Sequence, residues 1–66
     1  MMKIGDIVMI FANPMENKYP QGQARLHYLV QDYGELEYWE VEYLDHPDHH
    51  YKTLIRKDKN EKNKET

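Results

Sequence analysis

The segment "QARLHYLVQDYGELEYWEVEYL", Gln23 to Leu44, decides the fold. It holds two runs in which apolar residues recur at every second position, parted by Asp32-Tyr33-Gly34-Glu35. Alternation of this kind marks strands, because successive side chains of extended backbone point to opposite faces, whereas a helix would repeat every three or four residues. In the first run Ala24, Leu26, Tyr28 and Val30 share one face, with Arg25, His27, Leu29 and Gln31 on the other. In the second, Trp39, Val41 and Tyr43 alternate with Tyr38, Glu40 and Glu42. Gly34 supplies the positive φ that a tight hairpin needs. The segment reads as an antiparallel hairpin with an apolar inner face and an acidic outer face.

The flanking segments extend the same pattern. On the N-terminal side, Gly5-Asp6 turns into a strand Ile7 to Phe11, which Asn13-Pro14 ends because proline has no N–H to give a ladder. Both faces of this strand are apolar: Val8 and Ile10 on one, Ile7, Met9 and Phe11 on the other, so partial cover on both sides is expected. The polar stretch "NPMENKYPQG", with two prolines, reads as a long loop. On the C-terminal side "DHPDH" turns the chain into a fourth strand, "HYKTLIRK", with Tyr51, Thr53 and Ile55 on one face. The core expected from these phases is Val8, Ile10, Ala24, Leu26, Tyr28, Val30, Trp39, Val41, Tyr43 and Ile55. A closed or nearly closed small barrel would let so few side chains converge and would remove exposed strand edges.

Length and composition narrow the functions. At 66 residues the chain has room for one domain, read as residues 1–56, with stability of a few kcal/mol and no deep pocket expected. The last apolar residue is Ile55, and residues 57–66 read as a disordered charged tail, since they offer nothing to bury against the entropy of ordering. Cysteine is absent, so disulfides and thiolate metal sites are excluded. Serine is absent too, which removes Ser-His-Asp as well as Cys-His hydrolysis. The three glycines are isolated and form no phosphate-cradling loop. Glu40 and Glu42 are a carboxylate pair, but on a solvated strand face they keep ordinary acidity, so a non-enzymatic protein is expected, without a cofactor. The opening "MMKIGDIVMIFANP" has too short an apolar run for a signal segment or a membrane span, and a cytoplasmic location is expected.

Charge points to the class of partner. The net charge is −3; residues 57–66 sum to +1, which leaves −4 on residues 1–56. Between Arg25 and Lys52 no Lys or Arg occurs, while Asp32, Glu35, Glu37, Glu40, Glu42, Asp45 and Asp48 all fall there. Nucleic-acid binding draws its affinity from the opposite distribution, so a protein with a basic contact surface is the expected partner. The surface expected to meet it comprises Tyr19, Tyr33, Glu37, Tyr38, Glu40, Glu42, Asp45 and Asp48, aromatic anchors among acids. The alternative is a small nucleic-acid-associated barrel using Arg25, Lys52, Arg56 and the Lys-rich tail. Homo-oligomerisation through Ile7, Met9, Phe11 and Leu29 is compatible with either reading, because such an apolar row is costly to expose.

Asp45 to His50, "DHPDHH", carries ligand types for zinc, nickel or copper. His46, His49 and His50 are the metal candidates, but Pro47 prevents the helix that would align His46 with His50, and in a turn the side chains splay. Asp and Pro also suit turns for conformational reasons alone, so the segment reads as a turn rather than a metal site.

Gly5-Asp6 before the first strand, the loop opened by Asn13-Pro14, the Gly22-x-Ala24-x-Leu26 entry to the second, Trp39-Glu40-Val41 in the third and the closing Ile55 resemble the small SH3-like barrel proteins of phage and bacterial mobile-element genomes. The resemblance covers about residues 4–56 and implies an all-β SH3-like barrel of four to five antiparallel strands. It also implies a phage-type accessory or host-takeover protein that binds and modulates a host protein, acting in the host cytoplasm. The paired tryptophans of polyproline-binding SH3 domains are missing, so no PxxP-binding residues carry over.

Overall fold

The computed structural model describes residues 2–57 and is all-β. Four strands, β1 (Ile7–Asn13), β2 (Lys18–Asp32), β3 (Leu36–Tyr43) and β4 (His50–Arg56), form one antiparallel sheet in the order β1-β2-β3-β4. Each strand pairs with its neighbour in sequence, so every connection is a hairpin. No helix occurs among the described residues, and hence none long and apolar enough to cross a membrane. The sheet is open: β1 and β4 are its edges and share no ladder, in place of the closure expected of a barrel. It nonetheless curls, because Ile10 of β1 and Ile55 of β4 meet in one core with Ala24, Leu26, Trp39 and Val41.

The segment Asn13–Gly22, expected to be a long loop, is mostly strand. A four-residue turn, Pro14 to Asn17, joins β1 to β2, and Asn17 takes a left-handed φ of 54° to close it. Polar side chains do not prevent pairing where both faces meet water, and Pro20 is tolerated at a bulge, where Ile10 opposes Gly22 and Phe11 opposes Pro20. Tyr19, at φ 65°, lies beside that irregularity.

A second departure concerns β2. Between the pairs Ala24–Tyr43 and Asp32–Glu37, β2 uses two more residues than β3, and the register shifts at Leu26/Tyr28 and at Leu29/Gln31. Each bulge inverts the phase of the residues after it. Tyr28 therefore pairs with Glu40 on the outer face, and Leu29, expected outside, pairs with Trp39. Tyr28 and Val30, both expected in the core, are exposed at 48% and 40%. Val8 and Tyr43 pack against the core from its margin together with Met2, and the other six expected core residues are buried. On β1 Ile10 is buried and Val8 and Phe11 are half-buried, while Ile7 and Met9 remain exposed, so the second face is covered only in part, at Phe11.

The expected tail falls outside the described residues except for Lys57. That residue belongs to the fold: its N–H donates to the Glu35 carbonyl at 2.9 Å, and its ammonium lies 3.3 Å from Asp32 and 3.6 Å from Glu37.

Candidate functional site

The outer face of β3 has two ends of different chemistry. Leu36, Tyr38, Glu40 and Glu42 follow one another along it at every second position, apolar pair first and acidic pair after, and β4 adds Leu54 opposite Tyr38, Lys52 opposite Glu40 and His50 opposite Glu42. At the apolar end, Tyr33, Leu36, Tyr38 and Leu54 line an open depression of about 300 Å³. Tyr33 reaches it from the β2–β3 turn, where its N–H donates to the Leu36 carbonyl at 2.9 Å. Gly34, at φ 99°, makes that turn, and the Asp32 carboxylate accepts its N–H at 2.9 Å. This bond, aided by Lys57, holds the Asp32 carboxyl below its ordinary pKa.

At the polar end the side chains are already engaged with one another. The first bulge of β2 sends both His27 and Tyr28 to the outer face. His27 Nε2 lies 2.9 Å from Glu42 Oε1, and the Tyr28 hydroxyl donates to Glu40 Oε1 at 2.7 Å. From β4, His50 Nδ1 lies 3.2 Å from Glu40 Oε2. The rings of His27 and His50 meet edge to face, with centroids 4.4 Å apart. Glu40 and Glu42 are shielded by this arrangement, with side chains only 17% and 18% exposed. The Tyr28 hydroxyl, helped by His50, lowers the Glu40 pKa against the opposing effect of burial; reciprocally, the Glu40 carboxylate raises that of Tyr28.

The surface expected from sequence is thus gathered only in part. Tyr33, Tyr38, Glu40 and Glu42 share it. Glu37 does not: in register with Ile55, it lies on the core side, where it accepts the Trp39 indole N–H at 2.8 Å and meets Lys57. Tyr19 is exposed on the β1–β2 hairpin, and Asp45 and Asp48 sit in the β3–β4 turn.

The metal candidates of that turn are also divided. His46 and His49 stack at 6.1 Å, and His49 Nδ1 lies 3.2 Å from the Tyr51 hydroxyl. His50 has left the turn for β4, where Glu40 and His27 receive it. Sequence spacing could not reveal this neighbourhood, because it joins residues from three strands; alternation did place His27, Glu40 and Glu42 on the outer faces. Leu36 and Leu54 were missed as surface residues for a similar reason, since only the register brings them beside Tyr38.

A third feature is a groove along the open side of the sheet. Its apolar lining includes Ile4, Ile7, Met9, Phe11, Leu29 and Trp39. The residues expected to support self-association, Ile7, Met9, Phe11 and Leu29, are therefore gathered here. Among known proteins, no family model, curated protein or solved structure matches this chain.

Proposed function

We propose that the protein is a non-enzymatic protein-interaction module that docks through the outer face of β3. The observation that carries this reading is the continuity of the Tyr33–Leu36–Tyr38–Leu54 depression with the Glu40–Glu42 end on one uncovered sheet face. Aromatic and aliphatic side chains supply the burial that anchors a complex, and the acids favour a partner with a basic contact surface. The depression is shallow and open, which suits a protuberance on a protein better than an enclosed small molecule.

An SH3-like barrel, and a phage-type accessory or host-takeover role in the host cytoplasm, belong to the same proposal. The four-strand antiparallel meander, its long bulged second strand and the meeting of Ile10 with Ile55 in one core support a barrel of this kind left open between β1 and β4. The role rests on the resemblance of residues 4–56 to the phage and mobile-element proteins.

The nucleic-acid alternative draws less support. Lys57 sits with Asp32 and Glu37, Lys52 lies opposite Glu40, Arg25 opposite Glu42, and Arg56 donates to the Met15 carbonyl. These cations are dispersed among acids rather than assembled into a stripe along which phosphates could bind.

Charge reversal of Glu40 and Glu42 would also break their bonds to Tyr28, His50 and His27, so the apolar end gives the cleaner test. A protein captured from extracts of the source cell by the wild-type chain is expected to be lost with Tyr33→Ser and Leu54→Ser combined, with the circular dichroism unchanged. Retention of that protein by the double variant rejects the surface. Binding of DNA or RNA that persists at physiological salt and falls steeply with added salt rejects the class of partner.

A further inference from the structure

We propose that His27, His50 and Glu40 form a binding site for a divalent transition-metal ion of the zinc class, tying β2, β3 and β4 together on the outer face of the sheet. A ring nitrogen from each histidine and a carboxylate oxygen from Glu40 lie within 4.8 Å of one another. No other group of three such ligands gathers among the described residues. Four-coordinate zinc holds nitrogen and oxygen ligands at about 2.0–2.2 Å, which puts neighbouring ligand atoms about 3.3–3.6 Å apart. His50 Nδ1 and Glu40 Oε2 already stand at 3.2 Å. Small side-chain rotations, with the strands left in place, close the remaining gaps.

The surroundings orient these ligands. The Tyr28 hydroxyl holds Glu40 Oε1, which leaves Oε2 turned toward His50; hydrogen bonds of this sort fix a ligating carboxylate and sustain affinity. Glu42 holds His27 Nε2 at 2.9 Å but is not among the ligand atoms that lie within 4.8 Å of one another, so a fourth position falls to solvent. Two imidazoles with carboxylate oxygen suit zinc, copper(II) or nickel(II), and are a poor set for calcium or magnesium, which take oxygen almost exclusively. A dication would balance two carboxylates that the sheet holds side by side. Arg25 and Lys52, opposite Glu42 and Glu40 in register, partly offset those charges and limit the affinity.

The site shares Glu40 with the proposed docking face, but it does not rest on that reading, and its test requires no partner. Zinc chloride titrated calorimetrically into the full chain at pH 7.5 should bind one equivalent. His27→Gln and His50→Gln should each weaken binding at least about tenfold, the scale on which even residues that only orient ligands affect metal sites. The His46→Gln, His49→Gln double variant should bind as wild type does. Circular dichroism of each variant checks the fold. Proton NMR supplies a readout that needs no substitution: the ring resonances of His27 and His50 should move with the first equivalent, ahead of those of His46 and His49. Absence of stoichiometric binding, or binding that survives at His27 and His50 but is lost with His46 and His49, overturns the proposal.

Discussion

β3 has two neighbours, and they obey different rules. Against β4 its register runs without interruption from Leu36–Arg56 to Glu42–His50. Against β2 it is broken twice in eight positions. Reading by alternation succeeds on the β4 side, where Trp39, Val41 and Ile55 are buried as expected, and fails on the β2 side for Tyr28 and Val30. A period of two carries the phase of a strand only until the first bulge; beyond it each side chain changes face while the composition stays the same. The same bulge places His27 beside Tyr28 and so assembles the polar end of the outer face. The defect in the ladder and the gathering of polar groups are one feature.

Four substitutions would break or sharpen this comparison. Leu26 immediately precedes the first bulge and is buried, at 1% exposure. Leu26→Ala should cost about 2–5 kcal/mol, as in other cores, and so remove most of the stability of so small a domain. Urea denaturation would reveal this as a chain largely unfolded in buffer; a midpoint close to wild type would mean that β2 turns differently before the bulge. Next in size is Glu37→Ala, which leaves the buried Trp39 indole N–H without its acceptor. A loss of about 1–3 kcal/mol is expected, read from the same denaturation curve.

Asp32→Asn should have a smaller effect, seen as a weakened dependence of stability on pH. Because the folded-state pKa of Asp32 is depressed, its contribution is complete above the ordinary carboxyl value and is lost as pH falls through the native one. Melting temperature measured from neutral pH into the acid range should decline less in Asp32→Asn than in wild type, and parallel curves would count against the Gly34 and Lys57 contacts. Smallest of all is Val30→Thr. If alternation ruled the whole of β2, Val30 would be in the core and a hydroxyl there would cost well over 1 kcal/mol. Exposed as it is, the change should stay within about 0.5 kcal/mol by thermal denaturation, and a larger loss would restore the unbulged register.

The candidate site was legible to unequal degrees. Tyr38, Glu40 and Glu42 could be placed on one face because β3 itself is regular. Glu37 was misjudged as surface: its charge outweighed the parity that puts it with Trp39 and Val41, and its carboxylate in fact serves the Trp39 indole from the core side. His50 was grouped with His46 and His49 by proximity in sequence, although the strand begins at His50 and turns it toward β3. Asp45 through His49 remain on a connection, where hydropathy gives no orientation, and Tyr19 lies at the exposed start of β2, in a polar stretch that alternation does not mark as a strand.

The sequence by itself determined the all-β class, the four strands, the tight β2–β3 turn at Gly34 and most of the buried set. These follow from local alternation and turn chemistry, which act over a few residues. Tertiary structure alone decided where β2 bulges, that the stretch after Pro14 pairs with β1, that the sheet stays open, and that His27, Glu40 and His50 meet. Register depends on which ladder hydrogen bonds and core contacts can be satisfied together across three strands, and that balance has no signature in any one of them.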